Sequence, residues 1–356
     1  MATMADETKF TLNFMKNLVH MMPMKDLEIQ NGNSNTAFWM ACLSGKTKTA
    51  MIMMKKNPRL LDIRGNHEYL PLCACARAGT HDLVKILYNY SQKMKGIHWT
   101  NKDRSMTLFN CVDRDFFDVA LQILEDHPEL ADDQHILAIL AGKPDAFNRL
   151  EKNSNTRIIQ SRFIFFGMKA QLITEDDSDD ALELLKIFWG HATKTMTYNE
   201  IERMVSDPVS GIRQDSFGIL GVAAKMGNTR FLVELIRTYP RLMVLPNEDG
   251  LTIFHIAVMH RHRDIYNLLY EVGISRNDVC VVSDKSGNNM LHLVGKTSKE
   301  RAAKTSGASL LMQRELLWFK LTLEQALDVQ LEQTVLLFLY VPDLGTRMRS
   351  ACVLHG

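Results

Sequence analysis

The sequence predicts an all-α solenoid of paired antiparallel helices, arranged as two repeat blocks with a helical insert between them. Three observations predict it. A short motif recurs along the chain at a nearly constant spacing. A second run with helical apolar periodicity follows the clearer copies, and a Gly or another turn residue separates the two runs.

The clearest copies run from Thr36 to Gly45, Leu70 to Gly79, Gly218 to Gly227 and Thr252 to Arg261. Poorer copies begin at Met106, His135 and Asn289. Neighbouring starts are 34, 36, 29, 83, 34 and 37 residues apart, and all but one of these spacings lie close to the ankyrin period of about 33. Each copy is a degenerate form of the ankyrin signature T-P-L-H-x-A, and no single copy would identify it. The series does, because Asp82–Leu87, Phe231–Ile236 and Ile265–Tyr270 supply the second helix of the unit.

Each position of the motif has a physical task. Thr36 and Thr252 are placed to cap the first helix by accepting from its unpaired N–H groups, and Pro71 fits the first turn. The sixth position packs against the next repeat and must be small. It is Ala41, Cys75, Cys111, Ala223 and Ala257, with Leu140 and Val294 departing from the rule. Gly45, Gly79 and Gly227 stand between the two helices, where a left-handed backbone favours glycine. His255 and His292 occupy the His position, where the ring is expected to bond within the turn scaffold.

The same placement argues against chemistry. Cys73 and Cys75 resemble a metal or redox pair, but Cys75 and Cys111 fall at small core positions, and no second close pair completes a zinc site. His255, His260 and His262 straddle a helix and its loop without the His-Glu-x-x-His spacing. No phosphate-binding glycine loop or nucleophile elbow occurs, so neither a catalytic residue nor a cofactor, metal or small-molecule substrate is expected.

Composition agrees with a folded chain. Of 356 residues 46% are hydrophobic and 23% charged, with Lys plus Arg at 42 against 41 Asp plus Glu. A net charge of +1 offers no general attraction to nucleic acid, and the run His260-Arg261-His262-Arg263 reads as a solvated turn. Six scattered cysteines do not form a disulfide framework, and Met1–Lys9 lacks the basic and apolar parts of a secretory leader. The apolar run Val335–Val341 is far shorter than the roughly 20 residues a membrane helix needs. A soluble, cytoplasmic protein in a reducing compartment is expected.

The spacing of 83 marks an interruption. Polar Asn153–Thr156 and acidic Glu175–Asp180 read as loops, Ala181–Trp189 as an amphipathic helix, and Tyr198–Met204 as a further helix capped by Thr197. The expected segments are an N-terminal one over 1–32, a first repeat block over 33–150, the insert over 151–208 and a second block over 209–300. A helix over 301–320 and a divergent tail over 321–356 follow.

Several stretches resemble one family. Leu140–Pro144, Ala223–Asn228, Phe254–Val258, Met290–Lys296 and, most specifically, Gly307–Lys320 are similar to plant ankyrin-repeat proteins of the accelerated-cell-death-like group. The resemblance runs from about Asn33 to Lys320. It implies a cytoplasmic ankyrin half in front of a membrane-embedded PGG domain, a role in defence, cell-death or stress signalling, and no enzymatic activity. The chain departs from the family at Leu321, where the tail reads as an alternative exon or a gene-model error. Membrane attachment is therefore expected only of a longer form that restores the anchor. The tail is expected to dock weakly, with the repeats folded without it.

The expected partner is a protein, held on an extended face of turn tips and inner helices. Candidate contact residues are Asn247, Glu248 and Asp249 at one tip and Asp284, Lys285 and Ser286 at another, polar residues just ahead of a repeat start.

Overall fold

The computed structural model describes residues 6–147, 180–208, 217–271 and 282–294, with 313, 316–318 and 320. Among the described residues every regular element is a helix, and the only β-pairing is one isolated bridge between Gln30 and Thr36. The fold is all-α, built from ankyrin-type helix pairs. The chain divides into two compact units, Met1–Ile139 and Leu140–Gly356.

The first unit opens with α1 (Lys9–Met21), followed by the pairs α2 (Ala37–Leu43) with α3 (Thr47–Lys56), α4 (Pro71–Ala78) with α5 (His81–Tyr90), and α6 (Asn101–Asp113) with α7 (Phe117–Asp126). The division between units falls within α8 (Gln134–Ala141). The first helices of successive pairs, α2, α4 and α6, stack on one another. Close stacking explains the small residues on them: Ala41, Cys75 and Cys111 are completely buried. Thr36 Oγ1 accepts from Trp39 N at 3.1 Å, and Pro71 occupies the first turn of α4. Gly79 ends α4 at φ +85° and Gly45 turns between α2 and α3 at φ +67°.

Helix α1 covers the first pair by packing on α3. Glu7 accepts from Thr49 N at 2.7 Å in the first turn of α3, where the helix dipole favours a carboxylate. Helix α6 begins at Asn101, five residues before Met106. The capping pair Thr100 and Asp103 accounts for the earlier start. Thr100 Oγ1 accepts from Asp103 N at 3.2 Å, and the Asp103 carboxylate accepts from Thr100 N at 2.9 Å.

The second unit contains α9 (Pro144–Phe147), α10 (Asp180–Thr195), α11 (Tyr198–Ser206), α12 (Ile219–Met226), α13 (Thr229–Thr238), α14 (Ile253–His260), α15 (Arg263–Asn267) and α16 (Met290–Val294). Here α12, α14 and α16 stack in turn, with Ala223 and Ala257 fully buried. Gly227 stands between α12 and α13 at φ +79°.

The 83-residue gap closes in space. Asn228 donates to Leu140 O at 3.0 Å, Arg230 donates to Phe147 O at 2.8 Å, and the rings of Phe147 and Phe231 meet edge to face at 6.0 Å. The end of α8 and helix α9 therefore stand beside the α12–α13 bend, as a preceding repeat would. Helices α10 and α11 pack against α13 and α12 respectively.

Asn153–Thr156, nearly all of the acidic run, and the tail over 321–356 with Val335–Val341 lie outside the described residues. Among the described residues, no helix is long and apolar enough to cross a membrane.

Candidate functional site

Ahead of α2, α4, α14 and α16 stand tight loops, and these four tips share one backbone design. Tip 31–35 closes through Asn31 N donating to Asn35 O at 3.0 Å, and tip 65–69 through Gly65 N to Tyr69 O at 2.9 Å. In the second unit, Asn247 N donates to Leu251 O and Asp284 N to Asn288 O, both at 2.9 Å. In three of the tips the side chain of the first residue also locks the loop from inside, Gly65 having none to offer. Asn31 Oδ1 accepts from Asn33 N and Asn35 N, Asn247 Oδ1 from Asp249 N and Leu251 N, and Asp284 Oδ1 from Ser286 N and Asn288 N. The fourth residue is left-handed in every tip: Ser34 at φ +60°, Glu68 at +61°, Gly250 at +81° and Gly287 at +75°. Ser and Glu carry strain there that Gly avoids.

This design sorts the six predicted contact residues into two roles. The side-chain oxygens of Asn247 and Asp284 are engaged in scaffolding, and both residues are half-buried. Glu248, Asp249, Lys285 and Ser286 are exposed. The two tips are also joined, because Lys285 N donates to Asp249 O at 2.9 Å. The four exposed side chains thus stand on one hydrogen-bonded support.

Beneath the tips, the fourth motif position ties a repeat to the next at His255 and at Trp39. His255 Nδ1 accepts from Thr252 N at 3.3 Å, which leaves the proton on Nε2, and Nε2 donates to Val282 O at 3.0 Å. Burial lowers the pKa of this ring, the bond to Val282 and the charge of Asp284 opposing it. His292 makes the local half of the same arrangement, its Nδ1 accepting from Asn289 N at 3.2 Å. In the first unit Trp39 fills the His position, and its Nε1 donates to Tyr69 O at 3.1 Å. The larger ring requires Gly65, where a Cβ would come within 2.6 Å of Trp39 Nε1.

Tip 65–69 has a second fastening, which the sequence reading missed. Arg64 donates to Glu68 O at 2.6 Å and His98 O at 3.0 Å, and it clasps the Asp103 carboxylate through two bonds of 2.8 and 2.7 Å. Gln30, at the equivalent place before tip 31–35, donates to Ser34 O and Arg64 O, both at 2.7 Å. A polar side chain immediately before the tip was the available signal. A second missed signal is the pattern x-Pro-x-Leu after α3, α7 and α13, at Asn57-Pro58, His127-Pro128 and Tyr239-Pro240. It forms a one-turn helix that buries Leu60, Leu130 and Leu242.

Two residues of the basic run, Arg261 and His262, are structural, while Arg263 is exposed. Arg261, left-handed at φ +63°, donates to Val258 O and Val294 O, each at 2.7 Å, and His262 Nε2 lies 2.8 Å from Lys225 O. These side chains satisfy carbonyls at helix C-termini, where positive charge is favoured. The thiols of Cys42, Cys73, Cys75 and Cys111 are free and buried, and burial pushes Cys73 up to about 11. Among the described residues, no group of three or more His, Cys, Asp or Glu is placed to hold a metal ion.

No protein-family model matches the chain. No curated protein matches it either. Similar solved structures include the human ASB11 ankyrin repeat domain, at 12% identity over 86% of this chain and 92% of that chain, with a TM-score of 0.30. The assignment rests on the units themselves: the Thr cap, the left-handed bend, the small stacking position, and the ring N–H that reaches the base of the next tip.

Proposed function

We propose that this chain is a non-enzymatic scaffold that binds a protein partner through its turn tips. The observation that carries the reading is the joined pair of tips in the second unit. Their backbone and inner side chains are bonded to one another, so the backbone that presents Glu248, Asp249, Lys285 and Ser286 has little conformational freedom left to lose. Preordering of this kind lowers the entropic cost of association. Neither a cofactor nor a small-molecule substrate enters the proposal, and near-neutral charge gives no support for a nucleic-acid partner.

The resemblance of Gly307–Lys320 and the other stretches to accelerated-cell-death-like proteins supports a place in plant defence, cell-death or stress signalling. It also supports a second reading, in which the repeats are the cytoplasmic regulatory part of a multi-pass membrane protein. Proximity labelling in plant cells, comparing this form with one carrying a membrane anchor, separates the two. Partners common to both forms support the scaffold, and partners found only with the anchored form support the regulatory part. The tip assignment is tested by replacing Glu248, Asp249, Lys285 and Ser286 together with Ala. Loss of the labelled partners with unchanged helical content supports it, and full retention refutes it.

A further inference from the structure

The second unit holds a cluster of aromatic and charged side chains that the repeat pattern does not require. Trp189 comes from α10, Tyr198 and Glu202 from successive turns of α11, and Tyr239 and Arg241 from the turn after α13. The ring of Tyr239 lies 5.9 Å from Trp189 at 74° and 5.9 Å from Tyr198 at 34°. The Arg241 guanidinium sits over the Tyr198 ring, 5.5 Å from its centre.

The polar atoms of this cluster are unfinished. Trp189 Nε1 is buried without a hydrogen-bond partner, and the Tyr198 hydroxyl and Glu202 Oε1, buried beside each other, make no hydrogen bond to a third group. The Trp189 side chain is almost wholly enclosed, at 3% exposure. Arg241 Nε approaches Glu202 Oε1 only to 3.8 Å, an ion pair too long to be a hydrogen bond. Burial raises the Tyr198 phenol above its ordinary pKa, with the hydrogen bond to the Glu202 carboxylate and that group's charge adding to the rise, which places the two side by side. Unsatisfied buried polar atoms are rare, and the Trp189 N–H, in a cluster whose phenol and carboxylate bond only to each other, calls for an occupant.

We propose that Trp189, Tyr198, Tyr239 and Glu202 form a recognition pocket for a cationic side chain of a partner protein, and that Arg241 is its internal stand-in. Aromatic faces attract a cation through their quadrupoles, and a carboxylate supplies the countercharge. An incoming basic side chain donates to Glu202 Oε1 and to the Tyr198 oxygen. The Trp189 N–H donates to a carbonyl, which the same peptide supplies from its backbone. Arg241 already occupies the cation position without completing these bonds. Its side chain is 70% exposed, which leaves room for it to swing out. No tip residue contributes to the pocket, so this proposal and the tip reading fail separately.

The test uses full-length protein labelled with 15N on tryptophan. Its four tryptophans yield four indole N–H signals, and the Trp189→Phe variant identifies the one from Trp189. The probe is N-acetyl-arginine amide, with N-acetyl-alanine amide as the neutral control. In Arg241→Ala the Trp189 signal is expected to move saturably with the arginine probe. Binding should be at least about tenfold tighter than in the native chain, because a tethered competitor acts at high effective concentration. Adding Glu202→Gln to that variant should weaken binding about tenfold or more. A static Trp189 signal in the folded Arg241→Ala protein overturns the proposal. So does an equal response to the alanine probe, or indifference to Glu202→Gln. If Arg241→Ala fails to fold, Arg241→Ser also vacates the position over Tyr198 and is held to the same outcomes.

Discussion

Arg64 is the side chain on which the first unit's second tip depends most, and its removal has a calculable effect. Replacing it with Met preserves aliphatic packing but deletes four hydrogen bonds, two of them to Asp103. The Asp103 side chain is only 8% exposed, whereas Arg64 is 30% exposed. Removing one partner of a fully buried ion pair costs about 3–5 kcal/mol. Asp103 retains its bonds from Thr100, and Arg64 is partly solvated, so the expected cost is about 2 kcal/mol. Urea unfolding of Arg64→Met, Asp103→Asn and the double variant measures this, with a coupling of about 1–2 kcal/mol expected. A pH series supplies the sign. Burial alone would raise the Asp103 pKa, but the bonds from Arg64 and Thr100 outweigh it and hold the carboxyl below its ordinary value. That contribution is complete above the unfolded value of about 4 and is lost as pH falls through the lower, folded one. In Arg64→Met the folded value moves up toward the unfolded one, so the loss should be smaller and should end at higher pH. A coupling below about 0.3 kcal/mol, or one abolished by 0.5 M salt, refutes the clasp and leaves an ordinary screened surface pair.

His255→Gln should lower stability and flatten its dependence on pH below about 6.5, because the native ring resists protonation and the unfolded chain takes up the proton first. Parallel acid titrations of the two proteins would refute this. Ala257→Leu should cost about 1–3 kcal/mol through strain in the stacked core, while Glu248→Leu at an exposed tip should change the thermal midpoint little. Gly227→Ala should destabilise more than Gly287→Ala. Both residues have positive φ, but a Cβ at 227 meets His262 Nδ1 at 2.4 Å and one at 287 meets nothing within 4 Å. Equal midpoints in a thermal melt would count against the packing around His262.

Much of the repeat was legible because its constraints are local. A Thr cap, a left-handed Gly and a small stacking residue each depend on a few neighbours in the chain, so Thr36, Gly79 and Ala257 announce themselves by type and spacing. Trp39 does not, because it performs the task of His255 with a different side chain and needs Gly65, in the next repeat, to make room. Helix α6 misled for a related reason. Its apolar pattern starts at Met106, but the capping pair at Thr100 and Asp103 extends it, and Arg64 reaches that pair from far along the sequence.

By itself the sequence determined the all-α class, the period, the helix pairs and the exposed character of the tips, because binary pattern and backbone propensity are written residue by residue. Only the tertiary structure decided what each polar side chain is for. It spent Asn247 and Asp284 on the loop interiors, bonded one tip to the next, turned Arg261 and His262 onto helix carbonyls, and closed the 83-residue gap by setting α9 against α13. It also gathered Trp189, Tyr198, Glu202, Tyr239 and Arg241 from three separate segments. Hydrogen bonds and cation–aromatic contacts depend on distances of a few ångströms between residues that no period connects, and the fold alone sets those distances.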